Sequence, residues 1–233
     1  PLLDNSWRAT VLAWSLPALL VVAALFLPKR DLARPARKAA WLPDWKNPLT
    51  LRLGLLLGLS GSMFFGLNAY MGNLLEQQGR IGLLSEALFW YNIAQVFASL
   101  VMLKMARAWV GRRTFIVVMA VLSIAGTAGT LVLEGWWFIA SATLMSFVAG
   151  ILLILLVALP PLLVNSAETG RLSAGTFLVG YTMAFSVPML GGLLADWTGD
   201  TRHAVMAMVA YSLLVLPLAF TLDLKRKKDQ PAS

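Results

Sequence analysis

The sequence predicts an all-α, polytopic membrane protein, and its composition and charge pattern both support that prediction. Hydrophobic residues make up 59% of the 233-residue chain and charged residues only 13%, whereas a soluble domain carries about 25% charged residues. The charges lie in short clusters between long apolar stretches, instead of along one face of each helix as in a soluble protein. Apolar stretches of this length predict transmembrane helices, because about 20 helical residues cross the hydrocarbon core of a bilayer.

Seven apolar stretches are long enough to cross a membrane, and each is predicted to form one transmembrane helix. They cover residues 10–27, 51–71, 83–103, 114–133, 137–159, 172–194 and 204–222. Each is too long for a barrel strand and lacks the alternation that such a strand has. A helix also satisfies its own backbone hydrogen bonds inside lipid, which an isolated strand cannot do.

Lysine and arginine are distributed unevenly between alternate loops, and this predicts the orientation of the helices. Sixteen of the 19 basic residues fall on one side, in segment 28–50, Arg52, loop 104–113, Arg171 and tail 225–228, and three on the other. The basic side is predicted to be cytoplasmic, which places the C-terminus in the cytoplasm. The net charge of +8 therefore reflects membrane topology and contacts with anionic lipid, and we expect no nucleic-acid partner.

An odd number of helices with an external N-terminus favours one helix from a preceding bundle, followed by a complete set of six. A retinal protein would need a lysine at mid-depth in its last helix, and residues 204–222 contain none. We therefore interpret residues 1–27 as the last helix of a missing N-terminal half and 28–50 as a cytoplasmic loop between halves. Residues 51–222 would then be the six-helix C-terminal half, and 223–233 a basic cytoplasmic tail.

An internal repeat supports this division of the chain. Trp109-Val110-Gly111 and Trp197-Thr198-Gly199 recur 88 residues apart, and the same shift places stretch 83–103 on 172–194 and 114–133 on 204–222. Three helices per copy reverse the membrane orientation, so the copies would form the inverted repeat found in each half of many secondary transporters. The alternative interpretation is a coincidence over a few residues.

Several short motifs are spread over the whole chain. They are Ser6-Trp7-Arg8 with Trp14 and Pro17, Gly58-Leu59-Ser60, Phe64-Phe65, Ala98-Ser99-Leu100, the loop from Arg107 to Arg113, and the run from Pro188 to Gly199. In these motifs the chain resembles the major facilitator superfamily, and within it the cyanate/nitroimidazole-type anion porters. The resemblance implies helices six to twelve of a secondary transporter that moves a small, anionic or weakly polar solute across a bacterial inner membrane. Ala108 and Trp109 stand where the superfamily's loop usually has an acidic and a basic residue.

Polar and aromatic residues that share a helix face inside the spans are candidates for the solute site. A polar group in hydrocarbon costs free energy unless it faces protein or water, and residues three or four apart lie on one face. The candidates are Ser60, Phe64 and Asn68 in the second stretch, Asn92 and Gln95 in the third, and Phe177 and Tyr181 in the sixth. The alternative for each polar group is a hydrogen bond between helices, and for Tyr181 a ring that faces lipid or the core.

Residues in two loops form a second set of candidates, which the resemblance implies for gating contacts with the other half. They are Gly111, Arg112, Arg113, Asp196 and Gly199. The sequence contains no catalytic triad, metal-ligand cluster or phosphate-binding loop. We therefore expect a non-enzymatic protein without a metal or cofactor. A non-transporting membrane scaffold or receptor is the alternative function.

Overall fold

The computed structural model describes residues 42–224 together with Val11, Leu12, Ser15 and Val22. Most of the first predicted helix, of the basic loop and of the C-terminal tail lies outside these residues. Regular structure within 42–224 is helical throughout, and six of its helices are long and apolar enough to cross a membrane. The predicted class is therefore confirmed as an all-α integral membrane protein, while the count of seven helices stays a prediction.

Six long helices occur where the sequence predicts the spans between residues 51 and 222. The helices are α1 Pro48–Gln77, α2 Leu84–Trp109, α3 Arg113–Val132, α4 Trp136–Val157, the short α5 Pro160–Leu163, α6 Ser166–Thr198 and α7 Arg202–Phe220, with a 3-10 turn at Ile81–Leu83 before α2. With 30 and 33 residues, α1 and α6 exceed the roughly 20 residues that hydrocarbon requires. They extend past the apolar stretches because their polar ends continue the helix.

Prolines mark helix boundaries at two places. Pro48 begins α1, where its fixed φ suits the first helical position, and the Oδ1 atom of Asn47 accepts a hydrogen bond from the Leu49 N–H at 3.0 Å. Pro160 begins α5 after α4 ends at Val157, so the Pro160-Pro161 pair follows a helix end. Pro188 instead lies inside α6.

Loops that are predicted to share a membrane side do meet at the same end of the bundle. At one end, which we call the basic end, the Arg113 Nη1 donates to the Phe220 carbonyl at 2.7 Å, and the Arg171 Nε donates to the Leu42 carbonyl at 2.9 Å. At the opposite end the Gln77 amide bonds the loop after α6. The six long helices therefore alternate in direction.

Helix α1 lies at the centre of the bundle and packs most extensively against α6, with further contacts to α4 and α7. Glycine permits the close α1–α6 approach, since a Cβ at Gly180 would lie 2.6 Å from Leu57 Cδ2 and one at Gly58 2.5 Å from Met183 Cβ. Helix α3 packs on α4 and α7, whereas α2 contacts mainly α4. This arrangement leaves a cleft between the α1–α6 pair and the α2–α4 pair.

Candidate functional site

A central cleft of about 90 Å³ lies between α1, α2, α4 and α6. Four of the seven predicted solute-site residues line it together, namely Ser60, Phe64, Gln95 and Tyr181. The cleft is completed by Leu57, Gly61, Phe65, Ala149, Gly150, Leu153, Gly180 and Ala184. Its wall is thus aromatic and aliphatic, with no Asp, Glu, Lys, Arg or His among the lining residues.

The hydroxyl groups of the four tyrosines are used in two different ways. Three donate a hydrogen bond to a backbone carbonyl of a neighbouring helix: Tyr70 to Pro188 at 2.9 Å, Tyr91 to Phe64 at 2.7 Å and Tyr211 to Leu55 at 2.9 Å. Tyr181 is 46% exposed and makes no hydrogen bond to any described residue. Its ring stacks on Phe177 with the centroids 6.0 Å apart. The Tyr181 hydroxyl is therefore available to a molecule in the cleft.

Gln95 is held against α4 by two hydrogen bonds to Ser146. Its Nε2 donates to the carbonyl and to the Oγ of Ser146, at 2.5 and 3.1 Å. The Ser146 Oγ in turn donates to the Tyr91 carbonyl at 2.6 Å, which closes a buried network that we call the α2–α4 seam. Gly150 leaves room for this geometry, because a Cβ there would lie 2.5 Å from the Gln95 Oε1. The amide oxygen is thus the part of Gln95 that remains free to accept from a ligand.

Ser60 and Phe64 form part of the α1 side of the cleft. Ser60 is buried, and its hydroxyl donates to the Ala149 carbonyl at 2.8 Å, so its proton is used to join α1 to α4. The Phe64 ring stacks on Tyr91 with a centroid distance of 5.3 Å. Phe65 stacks in the same way on Phe185 of α6. The α1 side of the cleft therefore offers ring surface more than hydrogen-bonding groups.

Three of the predicted solute-site residues do not line the cleft. Asn68 lies one turn beyond Phe64, is half-buried and makes no hydrogen bond to a described residue. Asn92 is exposed, and its Nδ2 donates to the Leu88 carbonyl of its own helix at 2.8 Å. Phe177 stacks on the Tyr181 ring but does not itself line the cleft. Apolar lining residues such as Leu153 and Ala184 gave no sequence signal, because a membrane span is apolar on every face.

The predicted gating residues divide by the contacts that they make. Gly111 and Gly199 adopt left-handed backbone conformations, with φ of 80° and 74°, and each follows the end of a long helix, as glycine favours. Arg113 caps the C-terminal carbonyls of α7 through its bond to Phe220, where a cation also suits the helix dipole. The Arg112 backbone N–H donates to the Trp109 carbonyl at 3.1 Å, but its exposed side chain has no hydrogen bond or ion pair to a described residue. The exposed side chain of Asp196 likewise makes no hydrogen bond to a described residue.

Comparison with known proteins adds nothing to this geometry, since no protein-family model and no curated protein matches the chain. The structure itself defines the class, an α-helical polytopic membrane protein with six spans among its described residues. Its distinguishing feature is an uncharged cleft at mid-span that is lined from four of those helices.

Proposed function

We propose that the chain is part of a secondary active transporter, in which the central cleft forms one wall of the solute pathway. The supporting observation is that Tyr181 keeps an unpaired hydroxyl in the cleft while the other three tyrosines are bonded to backbone. Tyr181, Gln95 and Ser60 all lie near the middle of their helices. Solute sites of secondary transporters lie at this depth, between two bundles that rock around them.

The helix arrangement supports a major-facilitator-type half built from inverted repeats. Adding 88 to the residue numbers carries the start of α1 onto the start of α4, and it carries α3 onto α7 to within one residue at each end. Under that exchange α1 corresponds to α4 and α6 to α2, and the α1–α6 and α2–α4 pairs are both in extensive contact. The two glycines with left-handed φ, Gly111 and Gly199, also correspond. A second bundle would supply the opposite wall of the pathway.

The lining favours a small, weakly polar solute with a flat apolar face. Phe64, Phe65 and Tyr181 offer ring surface, the Tyr181 hydroxyl can donate or accept, and the Gln95 oxygen can accept. An anion, which the family resemblance implies, would need its counter-charge from the second bundle, because charge inside a membrane requires a partner. The basic end would face the cytoplasm and bind anionic lipid.

Transport by the full-length protein in proteoliposomes tests this proposal. Solutes are first selected by their effect on the melting temperature, and uptake of those that raise it is then measured for wild type, Tyr181→Phe and Tyr211→Phe. We expect Tyr181→Phe to reduce uptake and ligand-induced stabilisation, while Tyr211→Phe reduces thermal stability alone. A folded protein that binds no solute and moves none would instead indicate a scaffold, and one that binds a solute without moving it would indicate a receptor.

A further inference from the structure

Two adjoining depressions lie outside the central cleft, on the surface of the α2–α4 pair. The larger is an apolar groove of about 580 Å³, whose walls include Trp90 and Phe97 of α2 and Trp136 and Phe147 of α4. The second is a pocket of about 530 Å³ between the loops at the opposite end, which includes Arg80, Glu134 and Trp136. Trp136 lines both, so the polar pocket and the apolar groove adjoin.

The groove has the length of one leaflet of a bilayer. From Trp136 to Phe147 the α4 helix advances 11 residues, or about 16 Å at 1.5 Å per residue. This is about half of the roughly 30 Å hydrocarbon core. Trp136 and Trp137 are 62% and 73% exposed, and exposed tryptophans at helix ends lie at the level of lipid headgroups. The groove therefore begins at the interface and ends near mid-depth, as an acyl chain does.

The pocket above the groove offers one charge of each sign at this level. The Arg80 Nη2 lies 3.6 Å from the Glu134 Oε2, and the two side chains are 48% and 58% exposed. An arginine binds a phosphate through paired N–H donors, and a carboxylate accepts hydrogen bonds from an ammonium group. Arg80 and Glu134 thus form an exposed ion pair, and each side chain keeps enough accessible surface to bind one charge of a zwitterion as well.

We propose that this surface binds a phospholipid with a primary ammonium headgroup, its phosphate on Arg80, its ammonium on Glu134 and one acyl chain in the groove. Phosphatidylglycerol is anionic and has no cationic group to pair with the Glu134 carboxylate. A quaternary choline carries no N–H to donate to that carboxylate. This site shares no lining residue with the central cleft, so its test does not depend on whether the protein transports a solute.

Native mass spectrometry of the whole chain tests the proposal. The protein is mixed in detergent with equal amounts of dioleoyl phosphatidylethanolamine, phosphatidylcholine and phosphatidylglycerol, and the lipids that stay bound after release from the detergent are measured. We expect phosphatidylethanolamine to be retained about two- to fivefold over the other two, the ratio that an exposed charge pair supports. Glu134→Gln should abolish the preference for phosphatidylethanolamine over phosphatidylcholine. Arg80→Gln should lower the retention of both phosphatidylethanolamine and phosphatidylcholine. Two control variants each remove one charge at the same end of the bundle but outside the pocket: Glu76→Gln is the control for Glu134→Gln, and Arg202→Gln is the control for Arg80→Gln. Both controls should preserve the preference for phosphatidylethanolamine.

A variant of the groove tests the acyl-chain part separately. Ala140, an exposed groove residue, is replaced by Phe, which should lower retention of all three lipids while the melting temperature in lipid-free detergent stays unchanged. Equal retention of the three headgroups by the wild type, or a preference that survives Glu134→Gln, would overturn the headgroup assignment. Full lipid retention by Ala140→Phe would overturn the groove assignment.

Discussion

The α2–α4 seam and the cleft-facing side of α6 hold similar polar groups at similar depth but use them differently. In the seam the Gln95 amide, the Ser146 hydroxyl and the Tyr91 carbonyl bond one another. On α6, Tyr181 lines the cleft and its hydroxyl makes no hydrogen bond to a described residue. The difference teaches that a polar residue in a membrane span is informative about ligand binding only after its protein partners are known.

Gly150→Leu should have the largest effect, because Gly150 lies against Gln95 of the seam and also lines the cleft. Its Cβ would already lie 2.5 Å from the Gln95 Oε1, so a leucine displaces Gln95 and fills the cleft. We expect a loss of about 1–3 kcal/mol of stability from overpacking, together with loss of uptake, measured by thermal unfolding and in proteoliposomes. Gly170→Leu is the matched control, since nothing lies within 4 Å of a Cβ there. Equal effects of both variants would contradict this assignment.

Gln95→Leu tests the seam without filling the cleft. It removes the donors to Ser146, and interhelical hydrogen bonds of this kind contribute about 0.6–2 kcal/mol. We expect a lower melting temperature in detergent by a corresponding amount. Asn92→Leu serves as the control, because Asn92 bonds only its own helix. If the two variants are equally stable, Gln95 does not hold α2 to α4.

Tyr181→Phe should give the reverse result, with function altered and stability unchanged. No intramolecular bond is lost, while a ligand loses a hydrogen bond of about 0.5–1.5 kcal/mol, which corresponds to a weakening of about two- to tenfold. Solute affinity measured by ligand-dependent melting shifts reports this change. A drop in the melting temperature without ligand would mean that the hydroxyl has a structural partner.

The smallest expected effect concerns two neighbouring arginines at the basic end. Arg113→Gln removes the bond to the Phe220 carbonyl and should cost about 0.3–1 kcal/mol, as for other cations at helix C-termini. Arg112→Gln should leave stability unchanged, because the Arg112 side chain makes no hydrogen bond or ion pair to a described residue. Thermal unfolding of the two variants side by side measures the difference, and equal stabilities would refute it.

The six described spans could be predicted because their length and apolarity follow from the thickness of the bilayer. The ends of α1 and α6 could not, since their polar turns continue the helix where the hydropathy signal stops. The short α5 could not be predicted for a related reason: a helix of four residues, two of them proline, gives no periodicity.

The candidate site could be predicted only in part. Helical spacing grouped Ser60 with Phe64 and Asn92 with Gln95, and the first two residues line the cleft together. The rotation of a helix against its neighbours, however, depends on packing. That rotation places Gln95 in the cleft and leaves Asn92 outside it. The partners Ser146 and Gly150 carried no local signal. Which tyrosines are bonded depends on distant contacts such as that between Tyr211 and Leu55.

The chain that enters α1 is fastened to the bundle before the helix begins. Arg171 of α6 binds the Leu42 carbonyl, and the Thr50 hydroxyl of α1 binds the Asp44 carbonyl at 2.9 Å. Residues 42–47, α1 and α6 are therefore joined at one end by bonds that span all three. A displacement of residues 42–47 would therefore be transmitted to both helices at once.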